Sequence, residues 1–168
     1  MKKIIIAISL LFSTVVPGYA FDERHDPIPE QRPIIRALTA IGECTPESSI
    51  IVVSAGGTKG FHKFCKEALY VNFSNGRVLV LFNPPDNLKN EPSVGLSGLP
   101  AAGDLPAVHI DHMKVGDLEV DASGLCVRPL HNQIICNATF VKNDGDVGLV
   151  SMIMKYKVFI DVTKELAN

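Results

Sequence analysis

Apolar and polar positions alternate with a period of two through most of the second half of this chain. Between residues 148 and 162, Val150, Met152, Met154, Tyr156, Val158, Ile160 and Val162 alternate with Ser151, Lys155, Lys157 and Asp161. That pattern predicts a half-buried strand. At about 3.3 Å per residue such a strand would run roughly 50 Å, so it must bend or carry a bulge. Upstream, residues 108–115 and 118–121 read as strands joined by Gly116-Asp117. Residues 125–128 and 133–142 read as a second pair joined by Pro129-Leu130-His131-Asn132, with Ile134, Cys136, Ala138 and Phe140 on one apolar face.

The first half is more mixed. Leu69-Tyr70-Val71-Asn72-Phe73 and Arg77-Val78-Leu79-Val80-Leu81-Phe82 flank Ser74-Asn75-Gly76, and Asn-Gly supplies the positive φ angles of a tight hairpin turn. Residues 48–54 are short and β-branched and predict a buried strand. Pro33, with Ile34, Leu38 and Ile41 on one face and Gly42 at the end, predicts a short helix. Phe61, Phe64, Cys65, Ala68 and Leu69 recur at helical spacing and predict a second helix with its phenylalanines in the core. The glycines between residues 55 and 60 do not match a phosphate-binding loop, because Lys59 precedes the last glycine and no hydroxyl follows it. Residues 83–107, with five prolines and three glycines, read as one long functional loop. The expected fold is mainly β: a single antiparallel β-sandwich or curled sheet of about seven to eight strands with one or two short helices.

The N-terminus adds an address. Lys2 and Lys3 open it, an uncharged apolar run follows from residue 4 to residue 16, and Gly18 and Ala20 fit the small-residue positions of a signal peptidase site, with Phe21 as the first mature residue. The apolar run is shorter than the roughly 20 residues of a membrane-spanning helix. The expected organisation is a signal peptide over 1–20, an extended charged and Pro-rich lead-in over 21–33 and one β-rich domain over 34–168. The style of the leader points to the bacterial periplasm, with secretion second. Without residues 1–20 the chain carries 14 basic and 18 acidic side chains, a net charge of −4. Such a charge excludes an electrostatic drive towards nucleic acid, and no insertion into a membrane is expected after cleavage. Cys44, Cys65, Cys126 and Cys136 form an even set, which in an oxidising compartment means two disulfides. Three connectivities are open; the local pairing, Cys44 with Cys65 and Cys126 with Cys136, is favoured because each pair brackets a turn.

Chemistry could reside in Val108-His109-Ile110-Asp111-His112. A regular strand places His109 and Asp111 on one face and His112 on the other, so the carboxylate could orient an imidazole, or His109, Asp111 and His112 could contribute to a metal site. His25, His62 and His131 are the further imidazoles such a site could recruit. No cofactor is expected. Ser123-Gly124-Leu125-Cys126-Val127-Arg128, downstream of these histidines, resembles the active-site segment of the L,D-transpeptidases. That resemblance implies a Cys126 nucleophile, His109 or His112 as its base, Arg128 as a structural or substrate contact, and peptidoglycan stem peptides as substrate. Leu125 stands where that family has glycine, and a disulfide to Cys136 would remove the thiolate. The leading expectation is a binding protein that holds another protein: an inhibitor or immunity protein against a cell-wall-degrading enzyme or toxin, or an accessory subunit of an envelope assembly. Its contacts are expected in the 83–107 loop, at Asp86, Lys89, Asn90, Glu91 and Asp104, and its acidity favours a cationic hydrolase or toxin.

Overall fold

The structure is a computed structural model that describes residues 33–88, 90–101, 107–127 and 132–166. The expected signal peptide, its Ala20/Phe21 cleavage point and nearly all of the lead-in lie outside these residues, as do Lys89, Asp104, Arg128 and His131. Ten strands run in chain order: β1 (Ile34–Cys44), β2 (Ser49–Ser54), β3 (Gly57–His62), β4 (Glu67–Phe73), β5 (Val78–Asn83), β6 (Val94–Pro100), β7 (Ala107–Val115), β8 (Leu118–Val127), β9 (Gln133–Val141) and β10 (Val147–Asp161). A single helical turn, α1 (Thr163–Leu166), follows. Every pairing is antiparallel. The order β1-β4-β5-β6-β7-β8-β9-β10 closes on itself through β1–β10, which makes an eight-stranded barrel in place of the expected sandwich or curled sheet.

β10 accounts for the closure. Its first part, Val147 to Ser151, pairs with β2, and its later part, Met154 to Asp161, pairs with β1 on the same side. One long strand thus serves the barrel and a protruding β2–β3 hairpin. The expected irregularity falls at Lys157: Ile41 pairs with Val158 but Gly42 pairs with Tyr156, leaving Lys157 as the extra residue. An extra residue reverses the facing of everything beyond it. Val158 and Ile160 therefore turn to solvent, while Phe159 joins the interior and stacks 5.3 Å from Tyr156. Gly42 faces the bulge closely enough that a side chain there would overlap the Lys155 carbonyl oxygen.

The core is the inside of the barrel. Val80 and Phe82 from β5, Leu96 from β6, Val108 and Met113 from β7, Phe140 from β9 and Val150, Met152 and Met154 from β10 are all almost wholly removed from water. Each such side chain contributes on the order of 1.5–3 kcal/mol by burial. A smaller cluster on the outer surface, Ala37, Val71 and Phe73, packs with Ile34, Leu69, Leu79 and Val162.

Both expected helices are strands or turns here. The segment 34–44 pairs along both sides, with β4 and β10, and those two ladders outweigh a helical reading of Ile34, Leu38 and Ile41. The segment 61–69 is held extended by the Cys44–Cys65 disulfide and by backbone hydrogen bonds from Cys44 to the Cys65 carbonyl (3.1 Å) and from Gly42 to the Lys66 carbonyl (3.0 Å). Phe61 and Phe64 are 52% and 53% exposed and are not core residues. The 83–107 segment is also not one loop: it holds a 3-10 turn at Asp86–Leu88 and the whole of β6. The β4–β5 hairpin matches its expectation, with one refinement. Only Gly76 has positive φ (81°), and Gly76 N–H bonds the Phe73 carbonyl at 3.0 Å, so the turn has one left-handed residue where Asn-Gly could have supplied two.

Candidate functional site

The outer face of β7 and β8 carries the ionisable cluster singled out in the sequence. Opposite Asp111 the register slips on both sides of β7, between Ser97 and Gly98 on β6 and between Ile110 and His112 towards β8. Asp111 is thus a bulge residue. Ile110 and Met113 stay inside, and His109, Asp111 and His112 all lie on the outer surface, which corrects the alternating arrangement expected for a regular strand. Gly98 makes the bulge possible, since a side chain there would overlap the His109 carbonyl.

Sharing a surface does not join these residues into a dyad. Arg77 clamps Asp111 with both guanidinium ends, Nη1 to Oδ2 at 2.9 Å and Nη2 to Oδ1, and Nη2 also reaches Ser97 Oγ at 3.5 Å. His112 instead faces β8, with Nε2 3.1 Å from Glu119 Oε1 and Nδ1 3.8 Å from Asp121 Oδ1, and Lys114 Nζ lies 3.6 Å from the other Glu119 oxygen. The carboxylate expected to orient an imidazole is therefore held by an arginine. Among the described residues no group of three or more His, Cys, Asp or Glu is placed to hold a metal ion.

The proposed nucleophile is sealed. Cys126 and Cys136 stand opposite each other in the β8–β9 register, and their sulfurs form a disulfide inside the barrel, with Cys126 3% exposed. Cys44 and Cys65 form the second, so all four cysteines are joined in the local pairing. A bonded, buried sulfur cannot be a thiolate, and the transpeptidase reading of Cys126 with His109 or His112 fails on that ground.

The expected contact region is partly ordered into the barrel rim. Lys66, Glu67, Asn83, Pro84 and Asp86 line a solvent-open recess of about 340 Å³. Lys66 Nζ bonds Asp86 Oδ2 at 3.0 Å, Asn83 Nδ2 donates to Glu67 Oε1 at 2.7 Å, and Ser93 Oγ donates to Asn83 Oδ1 at 2.9 Å. Glu91 lies 3.9 Å from Lys63, and Asn90 is exposed. This polar rim was hidden in the sequence because its members come from β4, β5 and the turn after β5; the strand over 78–83 ending in Asn83-Pro84-Pro85 was its signal.

At the tip of the β9–β10 hairpin, Lys142 Nζ bonds Asp144 at 2.7 Å and Asp146 at 3.2 Å. These bonds raise the Lys142 pKa and hold the Asp144 carboxyl below its ordinary value. The Thr163 hydroxyl and backbone N–H hold Asp161 down in the same way. Fold and surface together define a disulfide-stapled, eight-stranded antiparallel barrel with an apolar filling and an ionisable cluster on the outer face of β7 and β8. The chain matches no protein-family model, no curated protein and no solved structure.

Proposed function

We propose that this chain is an exported periplasmic binding protein that holds another protein, acting as an inhibitor or immunity protein against a cell-wall-degrading enzyme or toxin. The observation that carries the reading is the buried Cys126–Cys136 disulfide, which removes the best candidate for covalent chemistry and leaves a rigid, stapled scaffold. Two disulfides fit an oxidising compartment. No helix among the described residues is long and apolar enough to cross a membrane. The interior is apolar, unlike the polar lumen of a membrane-spanning barrel. The partner is a cationic hydrolase or toxin, steered by the acidity of the mature region and met by Asp86, Asn90 and Glu91 at the rim, with Lys89 and Asp104 completing the contact.

The test is direct. Mature protein (residues 21–168) is mixed with a purified cationic lysozyme, and cell-wall clearing is followed together with co-elution on size exclusion. Slower clearing and a stoichiometric complex, weakened by Asp86→Ala or Glu91→Ala, support the reading. Unchanged clearing and separate elution at micromolar concentrations across several cationic wall hydrolases would reject it.

A further inference from the structure

We propose that the edge of β3, which pairs with no further strand among the described residues, is a strand-addition site for an extended acidic segment of another protein. This goes beyond the inhibitor reading and does not depend on it. β3 ends the sheet order, paired with β2 on one side only. Lys63 N–H bonds the Ser48 carbonyl at 2.8 Å, which sets the phase of the ladder. By alternation Lys59 and Phe61 direct their backbone groups to β2, and Thr58, Gly60 and His62 direct theirs away from it. All six β3 residues are exposed, and no described atom lies within 4 Å of where a side chain on Gly57 or Gly60 would begin. Edges of this kind are normally blunted by proline, a bulge or a covering segment. β3 has no proline, and its register against β2 runs without a slip.

The chemistry of the edge selects the occupant. Residues 48–66 contain no Asp or Glu, while Lys59, His62, Lys63 and Lys66 fall in or just after β3. Lys63 and Lys66 reach Glu91 and Asp86, but Lys59 has no ion-pair partner among the described residues. Lys59 and Phe61, two positions apart, share one face of the strand, and Phe61 and Phe64 leave half their surface in water. An added strand would place a carboxylate beside Lys59 and an apolar side chain against Phe61, while its backbone closes the ladder at Thr58, Gly60 and His62. A second copy on the same edge would instead bring together two lysine-bearing strands lacking carboxylates, which like-charge repulsion opposes.

Two short labelled peptides test this, one alternating Val with Glu and one alternating Val with Lys, titrated into the mature protein by fluorescence anisotropy. Amide exchange is read residue by residue in parallel. The Glu peptide is expected to bind about tenfold or more tightly than the Lys peptide. It should slow exchange at Thr58, Gly60 and His62, and leave Lys59 and Phe61, already bonded to β2, little changed. Lys59→Glu should reverse the preference. Gly60→Pro should abolish binding without unfolding, because the N–H it removes points away from β2. Equal affinity for the two peptides, no binding, or protection elsewhere would overturn the proposal. So would a concentration-dependent dimer lost in Gly60→Pro, which would assign the edge to a second copy.

Discussion

Ser48 sits where β10 changes partners. β2 covers β10 as far as Ser151, and β1 takes over at Met154, which leaves Ile153 between two ladders. Three bonds fill the gap: Ser48 Oγ accepts from Ile153 N–H (3.0 Å) and donates to its carbonyl (3.1 Å), which also accepts Thr45 N–H at 2.7 Å. Ser48 is wholly buried, so Ser48→Ala strands the Ile153 N–H without water. A loss of about 1–3 kcal/mol is expected, read as a lower urea midpoint at unchanged m. Surface carboxylates set a second residue-scale effect. Asp144 and Asp161 both titrate below their ordinary value of 3.8 in the folded chain. A carboxyl with a depressed folded pKa stabilises the fold above the unfolded value, and that contribution is lost as pH falls through the folded one. Melting temperature should therefore drop below about pH 4, and Asp161→Asn, which keeps an acceptor for Thr163 but no titrating charge, should flatten part of that drop. The site's own residues were harder to read ahead of the structure. The bulge at Asp111 depends on register slips towards both β6 and β8, and Gly98 shows its purpose only once β6 and β7 are side by side.

At the scale of elements, the extra residue in β10 makes a sharp prediction. Deleting Lys157 removes the extra residue, so Val158 follows Tyr156 directly and plain alternation keeps Tyr156 and Phe159 inward and Val158 and Ile160 outward in the same register with β1. The deletion should therefore cost little, about 1 kcal/mol or less, whereas deleting Val158 as well turns Phe159 out and Ile160 in and should cost distinctly more. Thermal unfolding followed by circular dichroism checks it, with a replacement such as Lys157→Ala, which keeps the bulge, as the nearly neutral control. This element also shows where pattern reading succeeds. Residues 147–156 were legible because each inward apolar side chain is followed by an outward one on a single face. Beyond 157 the same apolar alternation pointed the wrong way, since apolar residues occupy both faces there and only pairing with β1 decides between them. β4 and β5 were legible through Asn75-Gly76. β6 was not, because Gly95, Gly98 and Pro100 dilute a seven-residue strand until it reads as loop. β1 was misread because Ile34, Leu38 and Ile41 fit a helical face as well as a strand, and the deciding ladders lie far away in sequence. The local disulfide pairing was legible at Cys126 and Cys136, which face each other across adjacent strands. At Cys44 and Cys65 the expectation was right although only the first intervening strand, β2, matched its reading: a whole hairpin, β2–β3, stands between them.

For the whole molecule, closure is the step that joins the ends of the chain. Leu38 pairs with Asp161 and Cys44 with Met154, so the first and last strands of the barrel meet across most of the length of the described chain. Non-local antiparallel topologies of this kind fold in milliseconds to seconds, limited by the loop entropy lost before distant contacts form. The two staples act differently on that search. Cys126 and Cys136 are 10 positions apart on neighbouring strands of one local hairpin, so their bridge reinforces a contact that local pairing already favours. Cys44 and Cys65 are 21 apart and flank the β2–β3 excursion, so their bridge sets the end of β1 beside the start of β4 before the ladder between them has formed. In the chain-entropy view each bridge is worth about 3 kcal/mol at equilibrium. Kinetics should separate them: Cys44→Ala/Cys65→Ala should slow refolding, whereas Cys126→Ala/Cys136→Ala should act mainly by speeding unfolding. Chevron plots of the two double variants measure this, and equal slowing of refolding in both would show that β8–β9 pairing, too, waits for closure.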